Sequence, residues 1–332
     1  VEKLKVEKVF GEFSNIKALV IGDTMVDSYM WGAVDRISSE APIPIVVVGH
    51  QENRLGGAAN VSLNLQALGA TPVLVSLVGN DLKGDIFIEL LEKRKLSQAG
   101  ILRSDDRPTT VKTRILSGKQ QVVRVDEETT DMISPEDEER VYQRVEELME
   151  QEKFDIVIFV DYDKGIFTRS LIERLTSLAH EKGILIAVDP KKRNFNNYQH
   201  VHLFKPNLKE FRDGLELNLH KKDLEAIVAA AEQFKKEKQV DVIFITLSEM
   251  GVIISNGEMQ NYFPAEIRDI SDVSGAGDTV IAVASLCLAT GTSTKFLAQL
   301  SNLAGGLVCE KSGVVPIDCQ RLKQEARKIK FS

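Results

Sequence analysis

Short runs of β-branched residues recur along this chain, separated by segments whose apolar positions repeat every three or four residues. The runs "KALVIGD", "TPVLVSLVG", "FDIVIFVD", "GILIAVDP" and "VDVIFITL" read as buried strands, most of them ending at a small or acidic residue. Helical spacing follows at about residues 57–68, 84–95, 135–152, 168–182, 222–237, 276–290 and 294–311. The alternation predicts an α/β fold with a mostly parallel central sheet and helices on both faces. In such sheets ligands gather beyond the carboxyl ends of the strands.

Two stretches break the alternation: 29–49, with "APIPIVVV", and 107–126, with "TTVKTRIL" and "QQVVRVD". Both read as extended segments inserted between core units. They are expected to pair into a small β lid over the site, the alternative being edge strands of the main sheet, and an exposed lid edge would favour a homodimer. No internal repeat, low-complexity tract or linker divides residues 1–332, so one domain is expected.

With 332 residues and 43% hydrophobic content, the chain can bury a core without disulfide or metal staples. A net charge of -7 and the lack of a dense Lys/Arg block argue against nucleic acid or an anionic membrane as partner. An anionic substrate would need a local basic pocket. No apolar run reaches the roughly 18 residues of a membrane span, and the N-terminal pattern is charged and helical where a signal peptide is apolar. A cytoplasmic location is expected. Cys287, Cys309 and Cys319 form no CxxC and have no His at metal spacing, so they read as reduced.

Candidate chemistry concentrates in "DVSGAGDTVIAVASLCLA", residues 272–289. Gly275 and Gly277 let backbone N–H groups approach an anion, and the apolar helix that follows directs its positive end at the same point. Asp278 at the helix start is placed to accept the proton of a substrate hydroxyl, while the amides of Gly275, Ala276 and Gly277 stabilise charge on a transferring phosphoryl group. A glycine turn with a capping Asp explains the same residues without function.

A second cluster lies in "VIGDTMVDSY" and "RLGGAANVSLNLQALG". Asp23 and Asp27 can accept hydrogen bonds from vicinal sugar hydroxyls, Gly56 and Gly57 permit close approach, and Asn60 adds a donor and an acceptor. Turn chemistry is the competing role, above all for Asp23. A third cluster comprises "FVDYDKG" with Asp161 and Lys164, "VDPKK" with Lys191, and "KPNLKE" with Asn207 and Glu210. Its lysines suit phosphates, and Asn207 with Glu210 suits a hydrated magnesium ion; solvated loop charge is the alternative. There is no GxxxxGK[ST] loop, no complete dinucleotide fingerprint and no protein-kinase HRD or DFG set, so a nucleotide site must be of another design.

"GGAAN", "KPNLKE" and "DVSGAGD", in this order, resemble the ribokinase-like (PfkB) carbohydrate kinase family, and the likeness spans nearly the whole chain. It implies an ATP- and magnesium-dependent kinase with Asp278 as base and the anion hole at 275–277. It assigns Asp27, Gly56, Gly57 and Asn60 to the sugar, Asn207 and Glu210 to magnesium and phosphate, Thr246 and Gly251 to the nucleotide-side turn, and Asn302 and Gly306 to the adenine wall. Monovalent-cation activation is also known in the family, with no site placed for it here.

Within the family, "GDTMVDSYMWG", "RISSEAPIPIV", "PTTVKTRILSGKQQVVRVDEE" and "VDYDKG" are similar to kinases of D-glycero-β-D-manno-heptose 7-phosphate. That likeness implies phosphorylation of the anomeric hydroxyl to a 1,7-bisphosphate in ADP-heptose synthesis for lipopolysaccharide core. Lys112, Arg114, Arg124 and Lys164 are then candidates for gripping the existing phosphate. Fructose 1-phosphate, tagatose 6-phosphate and a catalytically silent sugar-phosphate binder are the alternatives. The chain departs from the family at Ser274 and Lys205, where Thr is usual. It carries no HxGH signature, so no adenylyltransferase activity is expected of it.

Overall fold

The computed structural model describes residues 2–118, 120–257, 260–266, 268–311, 313–329 and 331. Helix α1 (Glu2–Phe13) leads into β1 (Lys17–Gly22), and only Asp23 separates β1 from the long ribbon β2 (Thr24–Ile37) and β3 (Pro44–Gly57). Next come α2 (Ala58–Ala67), β4 (Thr71–Gly79), α3 (Leu82–Lys93), β5 (Gly100–Ser104), β6 (Val111–Ser117) and β7 (Gln120–Glu127). The middle of the chain holds α4 (Pro135–Gln151), β8 (Ile156–Val160), α5 (Arg169–Glu181), β9 (Leu185–Asp189), β10 (Leu203–Phe204), α6 (Leu208–Leu215) and α7 (Leu224–Lys238). It ends with β11 (Val242–Thr246), β12 (Val252–Ser255), β13 (Gln260–Phe263), α8 (Ala276–Ala289), α9 (Thr294–Cys309) and α10 (Cys319–Ala326).

The main sheet has the order β13-β12-β11-β10-β9-β8-β1-β4-β5, parallel from β11 to β5, with β12 and β13 added antiparallel at one edge. In central β1, Val20 pairs with Leu74 on one side and Ile158 on the other. Because alternate side chains leave opposite faces, Ala18 and Val20 enter one core with α2, α8 and α9, and Leu19 and Ile21 enter the other with α4, α5 and α7. Each of the larger ones, Leu19, Val20 and Ile21, contributes about 1.5–3 kcal/mol by its burial. An apolar run buried on both faces is what its sequence leads one to expect.

A separate four-stranded sheet has the order β3-β2-β6-β7, with β2 and β6 parallel. Its strands run further than 29–49 and 107–126. Asp27 pairs with Arg54 and Met25 with Gly56 inside the ladder, so polar and glycine positions that read as strand-end loops are strand residues facing the site. The short β10 and the capped helix α6 were also not separated by periodicity alone. Among the described residues no helix is long and apolar enough to cross a membrane. The three cysteines are free thiols, with Cys287 buried.

Candidate active site

Helix α8 is buried almost all round, so its N-terminus is fixed by packing at the carboxyl end of the sheet. Gly275 caps it with φ 79°, and a Cβ there would lie 2.9 Å from Asn60 Nδ2, so the position demands glycine on two counts. At Gly277 the nearest atom to such a Cβ would be Lys205 Nζ, 3.9 Å away, which leaves the space before the turn open. Asp272 braces the turn by accepting the N–H groups of Ser274 and Gly313, each at 2.9 Å. The turn therefore offers helix-end amides to an anion, with a buried ammonium across the gap.

Asp278 sits in the first turn, 4% exposed. Asn60 Nδ2 donates to its Oδ2 at 2.7 Å and the Tyr162 hydroxyl to its Oδ1 at 2.6 Å. Burial pushes its pKa up to about 6, against the pull of these two donors; Asp189 raises it further and Lys205 opposes. Asn60 Oδ1 is buried, with no hydrogen-bond partner among the described residues, beside the carboxylate. A buried amide oxygen left open is costly unless something fills it, and a substrate hydroxyl would.

The sugar-side candidates converge on the second sheet. Arg114 donates to Asp27 Oδ1 at 2.6 Å, and a Cβ on Gly56 would strike Asp27 Oδ2, so this glycine makes room for the carboxylate. Gly57, with φ 62°, comes equally close to the backbone of Asp23. Arg54 and Arg114 lie over the Tyr29 ring at 4.8 and 5.2 Å. Glu128 bridges Lys112 and Lys164, each at 2.7 Å, and Asp126 takes Lys112 at 3.0 Å and the half-exposed Arg124 at 2.9 Å. All four basic candidates thus hold carboxylate partners.

Asp23 and Asp161, both expected among the substrate-binding residues, each accept several hydrogen bonds from the loops around them. Asp23 accepts the backbone N–H groups of Tyr162, Lys164 and Ile166, at 2.9, 3.1 and 3.2 Å, and so shapes the loop after β8. Asp161 accepts from Tyr198, Asn194 and the Asp163 N–H, at 2.9, 3.1 and 2.8 Å. Burial, then the charge of Asp23, pushes the Asp161 carboxyl up to about 7.

On the nucleotide side, Lys191 contacts Glu210 Oε1 and lies 5.3 Å over the Tyr162 ring. Burial disfavours its charge, but Asp189 and Glu210 outweigh that and raise its pKa. Lys205, 2% exposed, stands 3.0 Å from Asp189 Oδ1. Asn207 and Glu210 form the capping box of α6, each side chain taking the other's backbone N–H at 2.8 Å. The cap leaves Glu210 Oε1 facing a cation, and no group of three His, Cys, Asp or Glu among the described residues could hold a metal. A hydrated magnesium ion carried in with phosphates needs only one or two carboxylates, and Glu210 Oε1, now against Lys191, is the oxygen the cap does not use.

Thr246 bridges to Asn207 at the end of β11, and Gly251 turns at φ 105° against Phe263 and Ala265. Asn302 donates to Pro264 O at 3.0 Å, and Gly306 faces the Arg268 side chain. Tyr162, Asp189, Arg54 and Glu128 were not singled out from the sequence, and Lys205 stood out there only as a departure from the family pattern. The signal for Tyr162 and Asp189 was their place at strand ends, in "VDYDKG" and "VDPKK".

Residues 15–318 match the pattern of the pfkB family carbohydrate kinase. The bifunctional protein HldE of Geobacter sulfurreducens is 36% identical over 313 residues, covering 94% of this chain and 63% of that protein. HldE of Helicobacter pylori strain HPAG1 is 39% identical over 299 residues, covering 90% and 63%. The chain spans less than two thirds of the length of these relatives. Phosphofructokinase-2 from Escherichia coli in complex with potassium superposes with a TM-score of 0.77 at 17% identity, covering 94% of this chain and 98% of that one. Arabidopsis thaliana ribokinase complexed with ribose and ATP gives 0.72 at 15% identity, covering 95% and 99%. These two likenesses bear on the fold, which they share with a ribokinase-like sheet and its small second sheet. Taken with the buried carboxylate at the glycine turn, the match over 15–318 shows that the chain belongs to the pfkB family of carbohydrate kinases.

Proposed function

We propose that this kinase transfers the γ-phosphoryl group of ATP to the anomeric hydroxyl of D-glycero-β-D-manno-heptose 7-phosphate, giving the 1,7-bisphosphate used in cytoplasmic ADP-heptose synthesis. The carrying observation is Asp278: a buried carboxylate with a raised pKa, held by Asn60 and Tyr162 at the mouth of an open helix-end turn. In this reading Asp278 accepts the sugar hydroxyl's proton as the hydroxyl oxygen bonds to the γ-phosphorus and the bond from that phosphorus to the bridging oxygen breaks, ADP leaving. The 275–277 amides and Lys205 face the charge on the phosphoryl group, in a site preorganised by packing. Asn60 and Asp27 orient the sugar. Arg114, Lys112 and Lys164 meet its distal phosphate, exchanging carboxylate partners for phosphate oxygens. Magnesium entering with ATP would be held through water at Asn207 and Glu210, and supplies charge neutralisation between the phosphates.

The heptose assignment is supported by the similarity to HldE proteins; fructose 1-phosphate and tagatose 6-phosphate are the competing acceptors. 31P NMR of the product decides between them, since an anomeric phosphate on the heptose supports the proposal and a phosphate on a hexose alone overturns it. The second sheet also leaves Ile37, Ile43, Val47, Val48, Val123 and Val125 exposed, Ile37 at 62%. We extend the proposal to a homodimer through this sheet. A monomeric mass at micromolar concentration would contradict that.

A further inference from the structure

We infer that Tyr162 is a positioning residue for the base, its hydroxyl keeping the Asp278 carboxylate ionised and aimed. The inference rests on the role proposed above for Asp278. Tyr162 and Asn60 approach different oxygens of one carboxylate, at 2.6 and 2.7 Å, so together they fix its rotation and leave a lone pair on each oxygen for an incoming hydroxyl. A hydrogen bond to an ionised acceptor is about twice as strong as a neutral one.

Tyr162 is itself held from behind. Asp23 takes the N–H groups of residues 162, 164 and 166, and Gly165, at φ 92°, packs against the Asp131 carbonyl with no room for a Cβ. The Lys191 ammonium lies over the ring. The charged groups acting on Asp278 are Asp189 and Lys205, with Lys191 also in range; Asp189 and Asp27 act on Tyr162. Burial and the Asp278 charge raise the phenol's pKa well above its usual value, so it remains a donor throughout the working range. Burial alone would protonate Asp278; removing the phenol removes one of the two side-chain hydrogen bonds among the described residues that oppose it.

The test is Tyr162→Phe, which keeps the ring and its contact with Lys191. Tyr198→Phe is the control, because Tyr198 makes the same kind of bond to Asp161, 2.9 Å long, outside the site. The Asp278 carboxyl is titrated by 13C NMR, which needs no substrate, with the resonance assigned by Asp278→Asn. The midpoint is expected to rise by about one pH unit in Y162F, roughly tenfold in proton affinity, and to stay in place in Y198F. The acid limb of kcat/KM should move with it, while KM for the sugar phosphate changes little.

Should Y162F not fold, 3-fluorotyrosine at 162 keeps the shape and donates more strongly, which must lower the midpoint. An unmoved midpoint in either protein overturns the inference, as does lost turnover with an unshifted acid limb. A shifted midpoint in an enzyme that phosphorylates none of the sugar phosphates upholds the coupling and overturns the proposed reaction.

Discussion

Asn60 Nδ2 and Asp278 Oδ2 lie 2.7 Å apart although 218 residues separate them in the chain. Helices α2 and α8 pack together so that the first glycine-rich segment and the last one meet in buried contacts, Thr279 also donating to Asn64 Oδ1 at 3.0 Å. Hydrogen bonds to charged groups contribute about 1.5–3 kcal/mol. Asn60→Ala should therefore lower kcat/KM roughly 10- to 100-fold while the protein remains folded, as steady-state kinetics with a thermal melt would show.

The pH dependence follows from the same carboxylate. A base with a pKa of about 6 gives a kcat/KM that falls as pH drops through 6, since protonation removes the acceptor. Stability runs the other way. Because the folded-state value is raised above 3.8, the folded protein binds this proton more tightly than the unfolded chain; that stabilisation is complete below 3.8 and lost as pH rises through about 6. Asp278→Asn has no charge to bury, so its melting temperature should exceed the wild type's by more at pH 7.5 than at pH 5. Equal differences at the two pH values would contradict this.

The two glycines of the turn should behave differently. Gly275→Ala places a side chain at positive φ and against Asn60, and is expected to cost stability and activity together. Gly277→Ala meets nothing closer than Lys205 Nζ and improves helix propensity by up to about 1 kcal/mol. It should fold at least as well as the wild type yet turn over more slowly, because the added methyl stands where the phosphoryl group must come. Melting curves and kcat on the same two variants separate the effects.

How much of this was legible before the structure depends on the kind of signal. The five apolar runs of the sequence became β1, β4, β8, β9 and β11, because strands buried on both faces have few polar positions to blur them. The second sheet was legible only in its apolar middle, since Asp27, Arg54 and Gly56 belong to its strands but face the site. Asp278 could be read from the glycine turn that carries it. For Tyr162 only its place after a strand was legible; its role lies in a contact with a residue 116 positions away that no local pattern records. Asp23 and Asp161 were legible as carboxylates at strand ends, but the loop N–H groups and side chains they accept from come from distant segments that no local pattern reveals.

The distal phosphate should expose the basic cluster. Lys164→Ala leaves Glu128 with Lys112 alone and removes one cation from the expected phosphate path, so KM for the sugar phosphate should rise about tenfold with kcat little changed. Glu128→Gln frees the Lys164 ammonium, leaves Lys112 with Asp126 alone, and should lower that KM. Initial-rate kinetics on the two variants, at two salt concentrations, would check both signs; an unchanged KM in both would remove the cluster from the site.

The most direct test is ADP release from ATP and magnesium with a panel of sugar phosphates that includes D-glycero-β-D-manno-heptose 7-phosphate, comparing wild type with Asp278→Asn. The account predicts turnover selective for the heptose phosphate, reduced by about 10²–10⁴ in the variant. Near wild-type turnover by D278N would contradict Asp278 as the base.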